Sequence, residues 1–473
     1  MIPRHPTLLA SALLACLAHA STPAATPEFR LGASRESINA PAGIGLAGYY
    51  HPRGNEGVLD DLHAKAMVLD DGKTRAALVV CDLISMPRWL VDEARAAIAN
   101  RTGIPGNHVL IAATHTHTAP VLRRDSSRDV VDGGDEAAAR DYATRLPDAI
   151  AKVVFDALQK CRPVQLALAR ETEDGLSHNR RWWMRDGSVA WNPGKQHPDL
   201  VRPAGPIDPE VGVLYAETGP EAGSAPVLTF VNFAMHPDTT GGVRLSGDYP
   251  AALSRTLALY RGNAMETLFA NGTCGNLNHL NFRWAAGQTS PQEANRLGVI
   301  LGAAVLKAYP KLRPVANPFP LQVGSEKVLL PLPPFTPEEL DAARLDVRTA
   351  KDNTREGFMK LVRAHRILDV AAREGRPYEV EVQVLSLGRE AAWVSWPGEI
   401  FVELGLSVKA GSPFPYTFHV ELANGAIGYI PNKSAWPEGN YEVESARVAA
   451  GSGELLVTSA LRQLAALHAT ASP

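Results

Sequence analysis

The chain has 473 residues, 45% of them hydrophobic and 21% charged, and carries a formal net charge of only −3. That is the composition of an ordinary globular protein. It gives no sign of a nucleic-acid binder and leaves room for at most peripheral contact with a membrane.

The first residues read as a secretory leader spanning 1–25. Arg4 and His5 give a weakly basic start, Leu8 to Leu17 a short apolar stretch, and Ala18-His19-Ala20 an A-x-A cleavage site, with Ala24-Ala25 as a second. Leu13-Leu14-Ala15-Cys16 also has the form of a lipoprotein box. The expectation is an exported chain, secreted or periplasmic. The remaining ~450 residues would suffice for two or three average domains, although large single domains exist. Cys81, Cys161 and Cys274 form no C-x-x-C pattern, and pairing two would strand the third, so no disulfide is expected.

Strand and helix patterns then alternate. Ala64–Leu69 and Arg75–Leu83 read as strands around the turn Asp70-Asp71-Gly72. Arg88–Asn100 has helical periodicity, Val109–Ala113 is an apolar strand, and Glu136–Lys160 is a long amphipathic helix. Val164–Glu171, Val211–Tyr215, Pro226–Met235 and Thr267–Ala270 follow as strands, with helices over Tyr249–Tyr260 and Gln292–Tyr309. The proline-rich run Arg313–Pro320 reads as a linker or crossover, and Pro337–Glu374 as one or two solvent-facing helices. Tyr378–Leu387, Ala391–Trp396 and Tyr416–Leu422 are strands, with a helix from Pro397 and a closing helix from Glu454. The fold class is α/β in the mixed α+β sense: one large domain, residues 26–473, of mixed sheets flanked by helices.

Chemistry concentrates where strands end. Val109–Ala113 runs into Thr114-His115-Thr116-His117-Thr118-Ala119-Pro120. On extended backbone, histidines at i and i+2 project to one side. Neutral imidazole is the commonest zinc ligand, and a catalytic zinc needs about three protein ligands. A second strand ends in His236-Pro237-Asp238, and a third leads through Pro397-Gly398 to Glu399. Proline and glutamate are ordinary helix-start residues, so capping alone also fits Glu399. Two imidazoles and one carboxylate nonetheless make a recognised catalytic zinc set. His51 and His63 read as structural or as supports of a site and not as ligands, Asp82 as a histidine orienter or loop cap, and His279 as either part of the site or packing beneath it. The aromatic run beside Arg180, with Trp182, Trp183 and Trp191, fits a pocket wall or a core edge equally.

Together these segments resemble the neutral, non-lysosomal ceramidases, zinc amidases that release a fatty acid from sphingosine. The resemblance rests on His115-Thr116-His117-Thr118-Ala119-Pro120, Asn232-Phe233-Ala234-Met235-His236-Pro237, Asn179-Arg180, Pro397-Gly398-Glu399, and Ala423-Asn424 followed by Tyr429 and Tyr441-Glu442. It runs in order from about residue 28 to the end, stopping where the family's C-terminal β-sandwich would begin. It implies one Zn2+ per chain, held by His115, His236, Glu399 and Tyr429. It also implies His117 as acid/base or supporting residue, Arg180 in the active site and Tyr441 in the pocket. Where the family carries a serine, proposed as nucleophile or substrate contact, this chain has Asn278. An amide can hydrogen-bond an oxyanion or a headgroup but cannot be a covalent nucleophile. The implied activity is hydrolysis, by metal-activated water, of an amide in a ceramide-like or other small N-acyl substrate. Two alternatives are an esterase or lactonase on the same zinc site and a non-catalytic binding protein that kept the fold. Nothing in the sequence fixes the oligomeric state.

Overall fold

The protein is described here from a computed structural model, which covers residues 1, 28–122, 135–351 and 353–471. The expected leader, its cleavage sites and Cys16 lie outside the described residues.

Three sheets build the body. The first has the order Val109–Ala113, Arg75–Cys81, His63–Asp70, Arg30–Ser37, Arg162–Pro163. Its strands Arg75–Cys81 and Val109–Ala113 are apolar at nearly every position because both faces are covered there. Ala64, Ala66 and Val68 face one core with helices α1 (Arg88–Thr102) and α2 (Glu136–Gln159), while Met67 and Leu69 face a second core. That second core is the centre of the molecule, where the first sheet meets the other two through Leu78, Phe230, Trp393 and Phe418.

The second sheet runs Glu266–Asn271, Pro226–Phe233, Glu210–Glu217, Gln165–Thr172, Arg313–Pro314. Its outer face is covered by α3 (Asp248–Arg261) and α4 (Pro291–Ala308). Ser290 caps α4 by accepting from the Glu293 N–H at 3.0 Å. The third sheet runs Leu321–Leu330, Tyr378–Leu387, Ala391–Ser395, Tyr416–Val420 and packs on α7 (Val402–Gly411) and α9 (Ser452–Thr470). Its first two strands form an antiparallel ladder that is unbroken from Leu321 opposite Leu387 to Leu330 opposite Tyr378. The chain between them makes α5 (Pro337–Thr349) and α6 (Arg355–Ala371). The mixed α+β class read from the sequence is the class observed.

Several local expectations change. The helix expected from Pro397 begins only at Val402. Before it, Glu399–Ile400 forms a two-residue strand parallel to Tyr429–Ile430, so Glu399 is held by a β-bridge and not by a helix's first turn. The Arg313–Pro320 crossover starts by adding Arg313–Pro314 to the edge of the second sheet. Arg30–Ser37 and Leu321–Leu330 are strands with no strong apolar run, and partners from elsewhere in the chain complete them. Cys81, Cys161 and Cys274 are free thiols. Among the described residues, no helix is long and apolar enough to cross a membrane.

The core also contains a pH-sensitive contact. His419 is buried, with Nδ1 accepting from the Trp396 indole N–H at 3.0 Å and Nε2 donating to the Gly405 carbonyl at 2.9 Å. Both nitrogens are satisfied only in the neutral ring, and burial and the Lys409 charge push its pKa down to about 3. The unfolded ring titrates near 6.5, so between those values the unfolded chain binds more protons. This contribution to stability is therefore intact above pH ~6.5 and is lost as pH falls towards 3, at up to about 1.4 kcal/mol per unit. Urea titrations at several pH values should show a shallower acid slope for His419→Gln than for the wild type.

Candidate metal centre and its surroundings

The Val109–Ala113 strand stops short of the histidines. The Thr114 N–H bonds the Cys81 carbonyl and the His115 N–H bonds the Leu83 carbonyl, and His115 takes a left-handed φ of 73°. The two imidazoles are thus brought together by a strained turn and not by the pleat of a strand. Their ring centres are 4.8 Å apart, and His236, arriving just beyond its own strand, is 4.7 Å from His115.

Each imidazole is tied at Nδ1 to a main-chain carbonyl. His115 bonds Ile84 at 2.7 Å, His117 bonds Gly48 at 3.1 Å, and His236 bonds Cys274 at 2.9 Å. A carbonyl can only accept, so Nδ1 carries the proton and each Nε2 presents a lone pair. The Nε2 atoms of His115 and His117 are buried with no hydrogen-bond partner. Ring nitrogens of the three histidines lie within 4.8 Å of one another, a group that could hold a metal ion.

The Glu399 carboxylate meets this group. Its Oε2 is 3.4 Å from His115 Nε2 and 3.2 Å from His236 Nε2. Burial, then the Arg180 charge, lowers the His236 pKa to about 3, so its ring is neutral and Nε2 bears no proton. Two lone pairs therefore converge on one carboxylate oxygen, a donor set suited to a cation. Zinc bonds of ~2.0–2.1 Å set tetrahedral donors about 3.4 Å apart, close to both observed separations. Gly275 makes the approach of these segments possible: a Cβ there would fall 2.5 Å from the Glu399 carbonyl oxygen.

Tyr429 pairs with Glu399 across the short parallel bridge. The Arg180 guanidinium lies 5.4 Å from its ring centre. Arg180 is buried and anchored by its Nε to Glu442 at 2.8 Å and by Nη2 to the Gly275 carbonyl at 2.7 Å. Arg181 reaches the other Glu442 oxygen at 3.0 Å, so one fully buried carboxylate holds two arginines. Tyr441, immediately before Glu442 in the chain, lies in an aromatic wall, its ring centre 4.3 Å from that of Trp191 and 5.6 Å from that of Phe358.

Asn278 uses both ends of its amide on other partners. Its amide N–H donates to Asn192 Oδ1 at 3.1 Å, and its oxygen accepts from the Leu280 N–H at 3.0 Å. It tethers the turn next to Trp191. Trp182 is buried, with its indole N–H on the Asn179 carbonyl, whereas Trp191 lies in the wall. Asp82 accepts from the His63 backbone N–H at 2.9 Å, which makes it a loop anchor. His279 is buried, with the Asp238 and Asp248 carboxylates as neighbouring charges.

Two participants, Glu421 and Phe358, carried no sequence signal, and Glu442 stood only beside Tyr441 in its motif. Glu421, fully buried, accepts from the backbone N–H groups of Cys274 and Ile400 and so fixes the segments carrying His236's acceptor and Glu399. Glu442 positions Arg180. Phe358 arrives from α6, stacking on Trp191 with ring planes 9° apart. Only their distant partners give these residues meaning.

This combination of three sheets and strand-end donors is the neutral ceramidase fold. The solved neutral ceramidase from Pseudomonas aeruginosa matches with a TM-score of 0.71 at 17% sequence identity, covering 93% of this chain and 75% of that one. A ceramidase complexed with C2 matches at 0.71 and 16%, with the same coverage. No family model matches the chain, and neither does any curated protein.

Proposed function

We propose that the protein is an exported zinc-dependent hydrolase that cleaves an amide bond in a small N-acyl substrate. The observation that carries this reading is the pair of buried imidazole lone pairs facing the Glu399 carboxylate at 3.2 and 3.4 Å. The shared fold of solved ceramidases supports it.

His115, His236 and Glu399 would hold the ion, with Tyr429 completing the set. A bound zinc would supply Lewis acidity, polarising a carbonyl and bringing a water's pKa towards ~7. The chain's own residues would do the rest. His117, with its free Nε2 beside His115, can take a proton and return it to the leaving amine. Its pKa is well below 6.5, chiefly from burial, so at neutral pH it stands ready as a base. Arg180, locked by Glu442, can face the oxyanion without reorganising. Tyr441 and Trp191 bound the pocket, and Asn278 holds the turn that carries Trp191.

Metal analysis of the purified chain, coupled to a screen of N-acyl lipids, N-acyl amino acids and matching esters, tests the reading. About one zinc per chain and faster cleavage of an amide are expected. Protein without stoichiometric zinc would sink the proposal, and preferential ester cleavage would move it to an esterase. His117→Ala should keep the metal and lose about 10²–10⁴-fold in turnover. Loss of metal in that variant would instead make His117 a ligand.

A further inference from the structure

Two cavities meet at Glu399. The larger, about 420 Å³, reaches His115 and is walled on its other side by Ile84, Leu422, Ala426 and Ile427. The smaller, about 150 Å³, extends from Glu399 and Tyr441 to Arg366 of α6. Gly428 and Arg447 border both. The smaller volume is well under the ~300–1,000 Å³ of sites that enclose a drug-sized molecule, so it suits the polar end of a ligand and not an acyl chain.

Helix α6 turns a coherent face to this site. Phe358, Val362 and Arg366 recur every four residues, with Asp369 one turn on. Arg447 is neutralised there by Asp369 through its Nε. Arg366 is different: its guanidinium Nε is buried with no hydrogen-bond partner. The side chain as a whole is half-buried, with the Glu339 and Glu444 charges nearby. The unmet donor is therefore the Nε–H, and a planar fork is suited to a carboxylate.

We propose that Arg366 recognises a carboxylate on the amine side of the substrate, which makes the preferred substrate class N-acyl amino acids. The inference rests on the amidase reading above. The acyl part would occupy the larger, more apolar cavity and the carboxylate the smaller one, leaving the amide between them at Glu399 and His115.

Calorimetric titration of the zinc-loaded full chain, in the His117→Ala background to suppress turnover, tests this with three probes. These are N-lauroylglycine, the neutral N-lauroylethanolamine, and free laurate. N-lauroylglycine should bind at least about tenfold tighter than the neutral amide, as expected for one charge-assisted hydrogen bond. Arg366→Met should bring that ratio to about one, and Arg366→Lys should restore part of it. Equal binding of the two amides, or a ratio unmoved by Arg366→Met, overturns the proposal. So does an Arg366→Met effect as large on laurate as on N-lauroylglycine, which would assign the arginine to the released acid. If the wild type hydrolyses no N-acyl compound the amidase reading fails, while the binding ratio still decides the role of Arg366.

Discussion

Replacing His236 by alanine is expected to remove the metal and the activity together. His236 Nε2 is 3.2 Å from Glu399 Oε2, and its other nitrogen is fixed on the Cys274 carbonyl. Deleting the ring leaves His115 and Glu399 without the geometry that a tightly bound zinc needs. Metal content should fall from about one per chain to a small fraction. Turnover should drop at least ~10³-fold, since the metal supplies several kcal/mol of transition-state stabilisation. Elemental analysis and initial rates on the same preparation, with a melting curve to confirm folding, check both effects. A milder companion is Glu421→Gln, which touches only the groups that hold the ligands. There a 10–100-fold loss in metal affinity or rate is the expected scale. Full activity in metal-free His236→Ala would rule out the metal centre.

The second large effect concerns stability. Glu442 is fully buried and bonds both Arg180 and Arg181, themselves buried. Removing one partner of a buried ion pair costs about 3–5 kcal/mol because the other charge is left unpaired, although the intact pair contributes little net stability. Glu442→Ala should therefore destabilise by that order, read as a lower denaturation midpoint. Glu442→Gln, which keeps hydrogen bonds, should fall between. Adding Arg181→Met to Glu442→Gln should recover part of the loss, since Arg181 would then need no acceptor, and a double-mutant cycle measures that coupling. A Glu442→Ala variant as stable as wild type would mean that water reaches this network.

The sequence revealed the donors better than their supports. His115, His236 and Glu399 sit in short motifs at strand ends, where a buried run meets a polar turn, and each run has a periodicity visible locally. Their geometry was less legible. The His-x-His pair suggested a pleated strand, whereas the actual contact depends on a left-handed residue at His115. Glu399 followed a helix-start pattern, yet it is fixed by Tyr429, thirty residues on, in a two-residue bridge that no propensity signals. Glu421, Glu442 and Arg366 act through partners from other elements. A lone buried carboxylate or helix arginine gives no sign of them in sequence. Helix α6 looked solvent-facing because its charges alternate, while one stripe of it turns inward.

The placement of α6 has a bearing on how such a protein changes. Leu330 and Tyr378 face each other at the end of the long antiparallel ladder, so the chain leaves the sheet and returns to it at one point. Everything between them, including Phe358 and Arg366, is an excursion whose two stems are already joined by backbone hydrogen bonds. A tight turn could close the same ladder without shifting a rung. His115, His236 and Glu399 sit elsewhere, on segments outside that excursion. On the reading proposed above, selectivity and chemistry are carried by separable parts, and a related chain could acquire a new substrate by exchanging this one segment while its reaction centre stays untouched.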